Sequence, residues 1–547
     1  MNATPPGWVY KRDGRLVPFE PDRIARGLFL ASQRLGRPDS FLARELTDSV
    51  LHFLTLEAEG TIPTTVQISE LVEKVVRELG QPELARAYAE QVQKQREALF
   101  GEAAETAPRA AAPELDVDSL PAEPRARERS LGRAWLRDWS LAAVFSPELA
   151  AAHRDGLIVL GGLDTPFELA ACTADSAGRL PVLEAFEACR ALAGQRLALD
   201  GPEHWLVHQQ DANGAEVLLR ELALGVRASG LEAVVNLNSA EPPVSAEALI
   251  DGPLFAACGG PAPARLPALV DELLAGLLAL ESDTPVRINW HLQAPDFEPA
   301  ALPRLSRLLR RAGEGKPIAF VFDRARQPAL LDEGIERGHA AVLLEVGLDL
   351  PRLATLVDEP SAAARAERYL HRLGSVVRLA LSAGKQKRQF LRQRKPNWPA
   401  FLLDRARLLI VPHGLEAVVR DVFGQSMSEG GPGLEFARHV IERIAGVLNQ
   451  DGQAAALEAC LGGQRAEQAG VTPWDQRASL RNQLRAAGRL HAGRPAGTAF
   501  LHINDDEEAR PERLAELLHA AWKQTEVARI EFVGRARPAQ QYLASEW

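Results

Sequence analysis

The feature that most limits what this chain can fold into is a break in it. Between about residues 101 and 130 the sequence turns to Ala, Pro, Glu and Arg, reading GEAAETAPRAAAPELDVDSLPAEPRARERS. Such a stretch buries too little apolar surface to offset the entropy of ordering it, so it reads as a disordered linker. A chain of 547 residues exceeds one compact core in any case. The expected division is a domain over 1–100, the linker 101–130, and a large domain over 131–547.

The first domain is dense in landmarks. Trp8 to Tyr10 and Leu16 to Phe19 are short apolar runs around Arg12-Asp13-Gly14, a turn signal, and they predict a small β-hairpin. Pro21-Asp22 then opens a helix with Ile24, Leu28, Ala31 and Leu35 at helical spacing. Further helices are expected over 40–56, over 65–79 with Thr65 as N-cap and Gly80 as the stop, and over 82–99. Hairpin plus four helices is the plan.

Beyond the linker, strand-like and helix-like segments alternate. Candidate strands are Gly156–Leu160, His204–His208, Ala233–Leu237, Val286–Leu292, Pro317–Phe322, Ala340–Val346 and Leu408–Val411. Candidate helices include 214–228, 265–281, 299–312, 362–384 and 433–450. The alternation predicts an α/β sheet or barrel. A last α/β piece is expected over 498–534, after a poorly patterned Gly- and Arg-rich stretch from 462 to 497.

Composition narrows the function. A formal net charge of −10 argues against general nucleic-acid binding, which needs surplus Lys and Arg for the phosphates. Four scattered cysteines, Cys172, Cys189, Cys258 and Cys460, form no C-x-x-C pair, so neither a thiolate zinc site nor a disulfide framework is expected. The start MNATPPGWVYKRDGR has no apolar core of a signal peptide, and no apolar run is long enough to span a bilayer. The expectation is a cytoplasmic protein without membrane partners.

The hairpin can set Lys11 and Arg12 beside the first turn of the next helix, where Arg23 sits. Three cations and free backbone N–H groups would converge there, and both favour the anionic tail of a triphosphate. Taken by composition alone, such charges read as a solvated surface.

The order of residues adds to this. K-R-D-G, a short gap, F-x-x-x-[KR]-I, a helix start at Thr64-Thr65-Val66-Gln67-Ile68, and a last helix with Leu84-Ala85-Arg86-Ala87-Tyr88 resemble the ATP-cone. That family occurs at the N-termini of ribonucleotide reductases and in a repressor of their genes. The resemblance implies an α+β domain that binds ATP or dATP as an allosteric ligand, with Mg2+ a fitting companion of the triphosphate. It implies Lys11, Arg12 and Arg23 on the phosphates, Phe19 and Ile24 lining the base and ribose pocket, Thr65 near the base, and Glu20 among the binding residues. It also implies homo-oligomers formed through the cone. The family usually has Lys where Arg23 stands, and its last helix often ends Tyr-x-x-Tyr-Arg where this one reads Tyr88-Ala89-Glu90-Gln91-Val92.

Segments of the body resemble an anaerobic ribonucleotide reductase, a glycyl-radical enzyme with a ten-stranded α/β barrel. They are Ser146-Pro147-Glu148-Leu149 through Gly156-Leu157-Ile158, Gly347-Leu348-Asp349-Leu350-Pro351-Arg352, Lys385-Gln386-Lys387-Arg388, and Pro412-His413-Gly414-Leu415-Glu416-Ala417. Such an enzyme needs a glycyl radical within R-V-x-G-Y and a thiyl cysteine on a central loop. This chain reads Phe532-Val533-Gly534-Arg535-Ala536, and no cysteine lies between Asp323 and Val346. The family's zinc-binding cysteine quartet is absent too. Cys172 matches the family's second cysteine, which cannot complete the reaction alone. The body is therefore expected to be a catalytically silent relative, a pseudoenzyme with no catalytic residues and no metal. The alternative is an active ribonucleoside-triphosphate reductase with rearranged residues.

Other patterns read as structural. Gly313-Glu314-Gly315-Lys316-Pro317 lacks the Ser/Thr of a phosphate loop and reads as a turn. Arg287, Asn289 and His291 read as one solvated face of a strand, with Asp296 nearby. Ser426 lacks the G-x-S-x-G elbow. His413 reads as a turn residue. Lys385, Lys387, Arg388, Arg392, Arg394 and Lys395 read as a solvated helix face.

Overall fold

A computed structural model describes residues 6–11, 15–57, 62–98, 124–175, 182–203, 214–238, 266–280, 284–324, 330–394, 400–463, 478–493, 497–505 and 507–534. The chain falls into two compact units, one of Met1–Ile158 with His371–Gln386, the other of Val159–Leu370 with Lys387–Trp547. Most of the expected linker lies outside the described residues. A helix, Pro124–Ala143 (α5), begins inside it, since Leu131, Trp135 and Trp139 recur every four residues on the far side of the Pro-rich run.

In the first unit, β1 (Trp8–Tyr10) and β2 (Leu16–Pro18) pair antiparallel with Val9 opposite Val17. Only Val9 of the strand residues is buried, so the pair is a cover on a helical core. The helices are α1 (Asp22–Arg34), α2 (Ser40–Glu57), α3 (Thr65–Glu78) and α4 (Pro82–Ala98). Leu28, Val50, Val72 and Val76 are fully buried in one cluster, each contributing roughly 1.5–3 kcal/mol. The cap of α3 is Thr64 rather than Thr65: its hydroxyl accepts from Gln67 N while Gln67 Oε1 accepts from Thr64 N. With two threonines in line, the Gln three residues on decides the register. Helix α6 (Pro147–Arg154) and the His371–Gln386 segment of a long helix, Ala362–Arg394, complete the unit.

In the second unit, β4 (Leu169–Asp175), β5 (Ala193–Asp200), β6 (Glu232–Asn238), β7 (Val286–Leu292) and β8 (Ile318–Phe322) run parallel in that order. On one side β4 meets β11 (Ala341–Asp349) antiparallel, and β11 is parallel to β12 (Arg407–His413), then β13 (Ala459–Leu461). On the other side β8 meets β15 (Arg529–Val533) antiparallel, and β15 is parallel to β14 (Thr498–His502). The two ends of this order approach one another. A Cβ on Gly463 would lie 2.6 Å from Thr498 N, and one on Gly497 (φ +92°) 2.7 Å from Gly463 N. Only glycine lets the backbones come so close, and that approach closes the wall as a barrel.

The expected strand over 156–160 is present as β3 (Ile158–Leu160), those over 233–237, 286–292, 317–322, 340–346 and 408–411 are present too, and 204–208 lies outside the described residues. Strands β4 and β5 were not expected, because Ala, Gly, Gln and Arg interrupt their apolar pattern. The stretch 462–497 contains a helix, Leu480–Leu490, capped by Ser479 and burying Leu480, Leu484 and Ala487 at helical spacing. The expected solvated faces are largely wrong. Asn289 and His291 are buried because the barrel encloses the polar side of β7. Lys387 donates to the carbonyls of Thr165 and Pro166 in a loop, and Arg388 to those of Ala455 and Ala456 at a helix end, so both are spent on backbone acceptors. His413 ends a strand, buried against Gly347, and is no turn residue. Lys395 lies outside the described residues.

Candidate functional site

The mouth of the first domain is built where the hairpin meets two helix starts. Tyr10 N donates to Pro63 O at 3.0 Å, and Tyr10 bridges Thr64, which sets Lys11 next to the start of α3. Lys11 N donates to Arg15 O at 2.8 Å across the turn. Arg12 lies outside the described residues. Arg23 is on the first turn of α1 with its side chain 68% exposed, held by Glu20 at 2.9 Å. Phe19 is half-buried against the core, whereas Ile24 is inside it, and Thr65 is half-buried in the first turn of α3. The hairpin thus brings Lys11 to Thr64–Thr65, and a separate turn brings Glu20 to Arg23.

Sequence reasoning missed a charge cluster beside this mouth. Asp22, the first residue of α1, accepts from Arg44 at 2.7 Å and lies 4.0 Å from Lys385 Nζ. Burial would raise the Asp22 pKa, but Arg44 and Lys385 outweigh it and hold the carboxyl below its ordinary value. No local pattern links residue 22 to residue 385, so nothing in the sequence could have found the pair.

Inside the barrel sits a hairpin, β9 (Leu330–Asp332) and β10 (Ile335–Glu336), turning at Gly334 (φ +75°). Leu331 and Ile335 pack on Ala171, Ala198, Val234, Val342 and Leu409, which come from β4, β5, β6, β11 and β12. At the tip, Asp332 accepts from Arg196 at 2.8 Å and Arg529 at 3.4 Å, and Arg196 also reaches Glu345 at 3.1 Å. All four are buried. Glu333 takes Gly463 N at 2.9 Å and the Thr498 hydroxyl, and so ties the hairpin to both sides of the closing seam. The hairpin, lacking any cysteine, fills the lumen.

Below the tip runs a polar chain. Asn289 Nδ2 donates to Leu331 O at 2.7 Å and Asn236 Oδ1 at 2.9 Å, and His291 Nε2 meets the same oxygen at 3.0 Å. An amide oxygen accepts only, so Nε2 carries a hydrogen. His291 Nδ1 faces Asp323 at 2.8 Å. Burial would raise the Asp323 pKa, but His291 holds it below the usual carboxylate value. Glu203 Oε1 accepts from Asn238 N at 3.0 Å, and burial pushes its pKa up to about 8.

The other residues that radical chemistry would engage are placed elsewhere. Cys172 hydrogen-bonds Cys189 on the flanking helix Val182–Cys189, and that bond together with burial pushes its thiol pKa well up. Gly534 follows β15 and lies against the carbonyl of Gly313. Among the described residues, no His/Cys/Asp/Glu group could hold a metal ion, and no helix is long and apolar enough to cross a membrane.

The family model of the ATP cone domain matches residues 8–97. No curated protein matches the chain in sequence. Among solved structures, the anaerobic ribonucleotide reductase from Thermotoga maritima in complex with dATP and CTP aligns at 12% identity and a TM-score of 0.51, over 74% of this chain and 83% of that one. The same organism's enzyme with MES in the active site aligns at 11% identity and a TM-score of 0.52, with the same coverage. At this identity the likeness speaks for the fold. The chain carries an ATP cone domain at its N-terminus, and over most of its length it shares the fold of anaerobic ribonucleotide reductases.

Proposed function

We propose that this protein is an ATP- or dATP-responsive regulator whose reductase-like body is catalytically silent. The observation that carries the first half is the cone match together with a mouth where Lys11 and Arg23 lie at the hairpin edge and the first turn of α1. Lys11, Arg12 and Arg23 would hold the phosphates, with Glu20, Phe19, Ile24 and Thr65 shaping the rest. Mg2+ would screen the triphosphate charge. A nucleotide shifts an assembly only by its differential affinity for two states, so the response is a change in how the cone packs on itself or on a partner.

The second half is supported by the lumen. The stretch between Asp323 and Val346, where the resemblance would put a thiyl cysteine, has none; its hairpin instead carries Asp332, spent on two arginines, and packs Leu331 and Ile335 against the strands. Size-exclusion chromatography with light scattering of the full chain, with and without ATP and dATP, tests the regulatory reading. A nucleotide-dependent change in mass or hydrodynamic size is expected, and an unchanged profile at saturating nucleotide counts against it. A glycyl-radical signal by electron paramagnetic resonance after anoxic activation would overturn the silent body.

A further inference from the structure

The cluster around Asp22 joins the proposed nucleotide mouth to a distant part of the chain. On the cone it holds three carboxylates, Asp22, Glu45 and Asp48, against one cation, Arg44. The remaining cations come from the segment His371–Gln386 of the long helix, in the same compact unit. Arg378 binds Asp48 at 2.9 Å, and Ser375 donates to the same oxygen at 2.7 Å. Arg372 lies 3.4 Å from Glu45 and stacks 5.4 Å over the Phe41 ring. Lys385 reaches Asp22 itself. Arg44, only 6% exposed, spans Asp22 and Asp48 and links the two halves of the cluster.

Asp22 is the residue before Arg23, at the end of α1 that the phosphates would approach. An ionised carboxylate there repels a triphosphate, and the repulsion grows with the number of phosphate charges. We infer that Lys385 is a positioning residue for the nucleotide: acting through Asp22, it neutralises a carboxylate beside the phosphates, so the cone reaches full affinity only when the segment His371–Gln386 is seated. The inference rests on the cone mouth being the nucleotide site. By reciprocity, bound ATP holds the segment more firmly.

The test is calorimetric titration of the full chain with ATP, ADP and AMP, for the parent protein and for Lys385→Glu, Lys385→Arg and Asp22→Asn/Lys385→Gln. Lys385 is 37% exposed, so reversing its charge leaves the core untouched. Lys385→Glu is expected to weaken ATP on the order of tenfold, ADP less and AMP least, with the loss shrinking at high salt. Lys385→Arg should bind like the parent, and the double variant should recover most of the affinity, because the carboxylate to be neutralised is gone. If the parent binds and Lys385→Glu binds ATP equally well, the inference falls and the nucleotide site stands. An equal loss for all three nucleotides marks a structural role and also overturns it. A parent chain that binds no nucleotide removes both.

Discussion

Glu203 offers a quantitative test of the barrel interior. It is fully buried, its Oε1 accepts from Asn238 N at 3.0 Å, and its pKa rises from the ordinary 4.5 to about 8. Burial is the main cause, since it removes water from the charged form, while the amide bonds and Arg337 only partly offset it. Between those two values the folded chain holds a proton that the unfolded chain has released. Stability from this group is therefore complete below 4.5, declines by about 1.4 kcal/mol per pH unit as pH rises, and is gone above about 8. Allowing for relaxation and water entry around the ionised carboxylate, the total is roughly 2–4 kcal/mol. Glu203→Gln keeps the acceptor for Asn238 N–H and removes the titration. Thermal or denaturant unfolding of both proteins between about pH 5 and pH 8 makes the comparison, and the difference between them cancels other titrating groups. The variant should nearly match the parent at the acid end and gain steadily towards the alkaline end. A constant offset across the range would refute the burial argument.

Other expectations follow from single contacts. Arg196→Met breaks the buried ion pairs to Glu345 and Asp332, leaving Asp332 only the longer contact to Arg529, and should cost about 3–5 kcal/mol in urea unfolding of the barrel. Adding Glu345→Gln, with Asp332 still paired to Arg529, should recover much of that loss. Thr64→Ala removes the capping box of α3 and should destabilise the cone by about 1 kcal/mol, read from amide exchange in α3. Gly463→Ala forces a Cβ into the backbone of Thr498, so the closing seam must open, and proteolysis near β13 and β14 should accelerate by well over tenfold.

The cone was legible because its signals are local. Alternating Trp8-Val9-Tyr10, the apolar repeat from Ile24 and the Thr64…Gln67 cap each act within a few residues. Strands buried on both faces, such as Ile318–Phe322, were equally plain as apolar runs. The lumen was not legible. Arg287, Asn289 and His291 alternate as an exposed face would, and only the hairpin β9–β10, forty residues on, makes that face interior. The basic residues after Lys385 misled for a related reason: a buried lysine that satisfies two carbonyls and a surface lysine look alike in one dimension. What sequence order did supply directly is that no cysteine lies between Asp323 and Val346.

The claim on which the rest depends is that the cone mouth holds an adenine nucleotide by its phosphates. Isothermal titration of the full chain with ATP, against Lys11→Ala and Arg23→Ala, measures it directly. Saturable binding to the parent is expected, weakened at least about tenfold in each variant, because each loses a charge-assisted contact of roughly 1.5–3 kcal/mol. Absence of binding to the parent at high protein concentration, or equal affinity in all three proteins, would contradict it.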